Sequence, residues 1–90
     1  MEGKAVMKVP GGKLLRAAVR YDGGDIESVR LSGDFFMYPE DGLERLEAAL
    51  SGIGEEMLPK AIEEGLSGCR LFGIDAPSIE AVIREAMDGL

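Results

Sequence analysis

The sequence of 90 residues contains no histidine and no tryptophan, and it has one cysteine, three phenylalanines and two tyrosines. Without histidine the chain lacks the commonest metal ligand and the commonest acid/base near neutral pH, which argues against self-contained catalysis and against a metal site. Cys69 alone permits no internal disulfide. No apolar run approaches the roughly 18 residues of a membrane span, and the opening Met-Glu-Gly-Lys has no signal-peptide pattern, so a cytoplasmic chain without a membrane partner is expected. A length of 90 residues predicts a single domain over 1–90. A chain this short buries only about 60–65% of its unfolded surface, so its core is thin and a partner subunit would help it.

Cations are also scarce. Ten Lys/Arg stand against 17 Asp/Glu, for a net charge of -7. The division along the chain matters more than the total. Residues 1–32 carry six cations against four acids, whereas residues 33–90 carry four against thirteen. An acidic chain repels nucleic-acid phosphates, whose neutralisation by Lys/Arg supplies most of that affinity, so a polypeptide partner fits better.

What is present reads first as strands. Ala5, Met7 and Val9 alternate with Val6 and Lys8, a period of two that ends at the turn Pro10-Gly11-Gly12. Leu15, Ala17, Val19 and Tyr21 then form one side of a second strand, with Leu14, Arg16, Ala18 and Arg20 on the other. Asp22-Gly23-Gly24-Asp25 supplies residues that tolerate positive φ, predicting a hairpin into a third strand over about 26–32. Ile26 is out of phase with Val29 and Leu31, which predicts a bulge or a later strand start.

After Gly33 the period becomes helical. Leu43, Leu46 and Leu50 predict a first helix over about 39–51, with Pro39, Glu40 and Asp41 in its first turn and Gly52 at its end. Met57, Leu58, Ala61, Ile62, Gly65 and Leu66 predict a second, with Pro59 acceptable only near its first turn. Leu71, Phe72 and Ile74 read as an apolar connector. Asp75 can cap a third helix whose stripe runs Ile79, Val82, Ile83, Ala86, Met87 and Leu90. The expected architecture is a two-layer α+β domain, a three-stranded antiparallel meander followed by three helices. Its uncovered sheet face would carry Arg16 and Arg20 beside Leu14 and Ala18.

The seam between the two halves, Gly33-Asp34-Phe35-Phe36-Met37-Tyr38-Pro39-Glu40, holds two of the three phenylalanines and one of the two tyrosines. Rings at such a junction commonly cap a core. In an extended segment, however, Phe35 and Phe36 point to opposite sides, so one reaches the core while the other faces solvent or a partner. Asp34 suits a local brace of the turn, and Gly33 a backbone geometry that a larger residue would strain. Gly11-Gly12-Lys13 lacks the spacing of a phosphate-binding loop and opens a strand, leaving Lys13 as a solvated turn lysine or a group that approaches an anion across a subunit boundary. Cys69, in an apolar connector, reads as a small packing residue. Met37, Met57 and Met87 also read as packing residues, and Glu55-Glu56 and Glu63-Glu64 as a solvated helix face.

Pro10-Gly11-Gly12-Lys13-Leu14-Leu15, Asp22-Gly23-Gly24-Asp25-Ile26-Glu27-Ser28-Val29 and the Gly33–Pro39 segment, in that order, resemble the small accessory domain of lipoate-protein ligases, which some lineages encode as a separate subunit. The resemblance covers about residues 4 to 90 and is densest between Pro10 and Leu50. It implies a non-catalytic subunit that docks on a catalytic ligase chain as a heterodimer. That chain uses ATP, magnesium and lipoate to make lipoyl-adenylate, then serves lipoyl carrier proteins. No cofactor is expected on this chain alone. Lys13, Gly33, Asp34, Phe35, Phe36, Tyr38 and Pro39 correspond to the family's signature stretches, and no catalytic residue carries over. The family's fold is also similar to iron–sulfur scaffold and sulfur-acceptor proteins. This leaves two rival readings, a single-cysteine sulfur acceptor and an interaction module unrelated to lipoate.

Overall fold

Alternation of large apolar and charged side chains drives the first third of the chain into three long antiparallel strands, β1 (Glu2–Val9), β2 (Lys13–Asp22) and β3 (Asp25–Gly33). The computed structural model describes residues 1–11 and 13–88; Gly12 of the expected first turn and Leu90 of the expected last stripe lie outside them. Val9 pairs with Lys13, Ala5 with Ala17 and Gly3 with Val19 across β1 and β2, while Val19 pairs with Val29 and Ala17 with Leu31 across β2 and β3. One sheet face is therefore an apolar set in which Val9, Leu15, Ala17, Val19, Val29 and Leu31 are buried. Between Arg20 and Tyr21 the register shifts, because Arg20 faces Ser28 and Tyr21 faces Ile26. That bulge absorbs one residue and turns Ile26 inward to full burial, resolving its phase mismatch.

The chain then makes β4 (Phe36–Tyr38), α1 (Gly42–Ala49), β5 (Ile53–Gly54), a 3₁₀ turn (Glu55–Met57), α2 (Leu58–Gly65), β6 (Arg70–Phe72) and α3 (Ala76–Asp88). β5 adds a short fourth strand beside β3, and β4 pairs with β6 in a separate two-stranded ribbon. Three helices cover one face of the meander, as expected. α3 lies on β1 and β2, α1 on β3, and α2 between α1 and α3. Leu46, Leu50, Leu58, Ile62, Ile79, Val82 and Ile83 carry the helical side of the core, with Leu46 and Ile83 fully buried. Each such aliphatic side chain contributes about 1.5–3 kcal/mol by leaving water.

Three expectations need correction. The first helix starts at Gly42 rather than Pro39; Pro39 to Asp41 form a turn whose Pro39 carbonyl accepts the Gly42 N–H at 2.8 Å. The connector through Leu71 and Phe72 is a strand, because its backbone pairs with β4. Met57 is 44% exposed rather than packed, since it sits in the 3₁₀ turn ahead of α2. Pro59 falls in the first turn of α2 and Asp75 precedes α3, where both were expected.

Side chains also finish the sheet's far edge. Beyond its short pairing with β5, β3 would leave backbone groups bare; instead Glu47 on α1 accepts the Leu31 N–H at 2.9 Å and Ser51 donates to the Glu27 carbonyl at 2.8 Å. Tyr21 donates to Glu55 at 3.0 Å, which raises the phenol's pKa, first through that hydrogen bond. Glu55 in turn approaches Arg84 on α3 at 3.8 Å. This linkage sits at the hairpin end of the sheet, opposite the ribbon.

Candidate functional site

The ribbon is built by opposing faces of two three-residue strands. Phe36 pairs with Phe72, Met37 with Leu71 and Tyr38 with Arg70. Side chains alternate along a strand, so Met37 and Leu71 turn toward the core while Phe36, Tyr38, Arg70 and Phe72 turn to solvent. The burial follows that division: Met37 is 7% exposed, whereas Phe36 and Tyr38 are each 59% exposed and Phe72 54%. Phe35, one residue out of phase with Phe36, packs partly buried against the core. Phe36 is therefore the outward member of the pair. The rings of Phe36 and Phe72 stand 6.2 Å apart between centroids, tilted by 54°.

Gly33 and Asp34 join this ribbon to the sheet. Gly33 has φ +145°, and a Cβ there would run into the Leu14 carbonyl oxygen, so the position requires glycine. Asp34 braces the turn through its backbone N–H, which donates to that same carbonyl at 2.9 Å, rather than through its carboxylate. Lys13, at the start of β2, is brought to the same end of the fold. A Cβ on Gly73, just after β6, would stand 3.1 Å from Lys13 Cγ and 3.2 Å from the Asp34 carbonyl oxygen. The lysine stem thus runs across bare backbone beside the ribbon while its residue stays exposed.

Beneath the ribbon, a Cβ on buried Gly42 would lie 3.1 Å from Cys69 Sγ and 3.2 Å from Met37 Sδ. Cys69 is half-buried there, with Gly65 O at 4.0 Å and Arg45 at 3.9 Å from its sulfur. These contacts fit the packing role read from the sequence.

The seven residues singled out by the resemblance thus gather at one end of the molecule, in the link Gly33–Asp34, the ribbon with Phe35 beneath it, the turn at Pro39, and Lys13 alongside. Sequence reasoning missed Phe72, Arg70 and Gly73. The pairing of β4 with β6 joins segments more than thirty residues apart, and two three-residue strands leave almost no periodic signal. The available hint was an aromatic, Phe72, in a short apolar run closed by glycine.

Chemically the ribbon offers aromatic area with two exposed cations, Arg70 on it and Lys13 beside it. Among the described residues no group of three His, Cys, Asp or Glu is placed to hold a metal. Among the described residues no helix is long and apolar enough to cross a membrane. An open groove of about 420 Å³ between α2 and α3 shares no residue with the ribbon, and its Glu63 and Glu80 would oppose an anionic ligand.

No protein-family model matches the chain. A stretch of 67 residues is 36% identical to lipoate-protein ligase A subunit 2 of Thermoplasma acidophilum, covering 74% of this chain and 67% of that protein. The fold matches a chain in the solved structure of an archaeal lipoylation system, a bipartite lipoate protein ligase and its E2 lipoyl domain from Thermoplasma acidophilum. There the TM-score is 0.79 and the identity 30%, over 96% of this chain and 93% of that one. By sequence and by fold, the chain belongs to the family of lipoate-protein ligase A second subunits.

Proposed function

We propose that this chain is the non-catalytic small subunit of a two-component lipoate-protein ligase, docking through its aromatic ribbon on the catalytic subunit as a heterodimer and supporting ATP-dependent activation of lipoate to lipoyl-adenylate. The observation that carries this reading is the outward face of the ribbon. Phe36, Tyr38 and Phe72 are each more than half exposed and adjacent, beside Lys13, in a chain with few aromatics to spare. Aromatic rings supply large contact area at little entropic cost and dominate interface energetics. The relatives belong to a bipartite ligase, which supports a second polypeptide as the occupant. The assembled enzyme uses ATP, magnesium and lipoate, and passes the lipoyl group to a lysine of a carrier protein.

A subunit can promote activation without supplying a reacting atom. If the catalytic chain holds its adenylating arrangement only rarely, a partner that binds that arrangement better raises its population. Moving it from about 1% to about 99% takes about 5.5 kcal/mol of differential binding. Three hot-spot side chains at about 2 kcal/mol each reach that figure. Closure of the substrate cavity by the small subunit, excluding water from the mixed anhydride, is a second route to the same effect.

The test is lipoate-dependent exchange of pyrophosphate into ATP by the catalytic subunit, with and without this chain, at fixed ATP and magnesium. Exchange that requires both chains is the expected outcome. Equal exchange by the catalytic subunit alone, with binding demonstrated, would remove the activation role and leave a carrier-docking or unrelated interaction module.

A further inference from the structure

The uncovered face of the meander is basic in an acidic protein. Its even-numbered positions on β1 and β2 and their partners on β3 form cross-strand rows. Lys8 lies opposite Leu14, Val6 opposite Arg16 and Ser32, Lys4 opposite Ala18 and Arg30, and Glu2 opposite Arg20. Five of the chain's ten cations therefore share this face with three acids, Glu2 opposite Arg20 and the paired Asp22 and Asp25 at its hairpin end. None of the five takes part in an ion pair among the described residues, where the ion pairs join Arg45 to Asp41 and Arg84 to Glu55 and Glu80. Arg20 has a carboxylate, Glu2, opposite it, but Lys4, Lys8, Arg16 and Arg30 face only neutral partners, and diagonal neighbours such as Lys4 and Arg16 repel, a repulsion that carboxylates from a partner would relieve.

The centre of the face is apolar. Val6 is 54% exposed, and Leu14 and Ala18 are half-buried beside it. An open groove of about 250 Å³ runs over this centre, rimmed by Lys4, Arg16 and Arg30. The cations spread over roughly 20 Å along the strands and about 10 Å across them. That span is too wide for one phosphate, and the face carries no aromatic ring on which a base could stack.

We propose that the open sheet face is a second docking surface, fitted to an acidic polypeptide whose carboxylates surround an apolar tip. It shares no residue with the aromatic ribbon, so it can be occupied while the ribbon is engaged, and its failure would leave the ligase reading intact. A second copy of this chain is a poorer occupant. Seating its acidic helical half on this face is a head-to-tail contact that leaves an open face at every addition.

The probe is a short fluorescein-labelled peptide with a leucine core flanked on both sides by glutamates, titrated against the full chain by anisotropy at low and at high salt. Saturable binding is expected, weakened at least about tenfold by high salt and by the combined substitutions Lys4→Glu, Arg16→Glu and Arg30→Glu. Lys60→Glu, on α2, should change nothing. Circular dichroism checks that the triple variant is folded; Arg16→Gln with Arg30→Gln provides a milder pair expected to weaken binding in the same direction. Absence of peptide binding, or equal binding by wild type and a folded triple variant, overturns the proposal. So does displacement of the peptide by millimolar inorganic phosphate or by single-stranded DNA, which would make the face an anion or nucleic-acid site. Salt-sensitive self-association in sedimentation, lost in the triple variant, would identify a second copy as the occupant and overturn it as well.

Discussion

Phe36 on β4 and Phe72 on β6 stand opposite each other across the ribbon, their ring centroids 6.2 Å apart, on the side that faces water. A tilted aromatic pair contributes about 0.5–1.5 kcal/mol, whereas burying one such ring is worth about 1.5–3 kcal/mol. The pair therefore gains more from a partner that covers it than from its own stacking.

Phe36→Ala and Phe72→Ala should each weaken association with the catalytic subunit by at least about 1–2 kcal/mol while lowering the stability of the isolated chain by no more than the ring pair's about 0.5–1.5 kcal/mol. Phe35→Ala should do the reverse, lowering stability by about 2 kcal/mol because that ring packs on the core. Titration calorimetry and thermal denaturation separate the two effects. Normal binding by both outward variants would show that the ribbon is only a structural turn.

Gly33→Ala should cost about 2–3 kcal/mol or more, since a Cβ there meets the Leu14 carbonyl oxygen as well as an unfavourable φ. Gly23→Ala, at φ +60° with open space around its Cβ, isolates the backbone penalty at about 1 kcal/mol. Denaturant unfolding of the two variants should rank them in that order. Equal losses would mean that the chain relaxes around the added carbon.

Asp75 caps α3: the Ser78 hydroxyl and then the Ser78 N–H, at 2.8 Å, lower the pKa of its carboxyl. A folded-state pKa below the unfolded one means that this stabilisation is present above the ordinary aspartate range and disappears as pH falls through the folded value. Asp75→Ala should cost about 1 kcal/mol near neutral pH, toward the low end of cap effects because water screens the carboxylate. The gap between variant and wild type should close in strong acid. A pH-independent gap would show that the charge is not what caps the helix.

Cys69→Ser should leave ligation by the assembled enzyme unchanged, and alkylation of Cys69 in the folded chain should be slow relative to the unfolded chain, because the sulfur is half-buried against Gly42. Loss of ligation in the serine variant, or alkylation as fast folded as unfolded, would restore a thiol role.

Much of this protein was determined by local pattern. The meander followed from the period-two placement of Leu15, Ala17, Val19 and Tyr21, the bulge from the phase of Ile26, and the three helices from stripes such as Ile79, Val82, Ile83 and Ala86, because periods of two and 3.6 are set by backbone geometry alone. The glycine at position 33 and the opposed directions of Phe35 and Phe36 were legible for the same reason. Which ring faces out, the strand at Arg70–Phe72, and the convergence of Lys13, Gly73 and Phe72 were decided only by tertiary structure. Each depends on a backbone pairing or close approach between segments far apart in the chain, and hydrogen bonds between distant peptides leave no periodic trace in either partner.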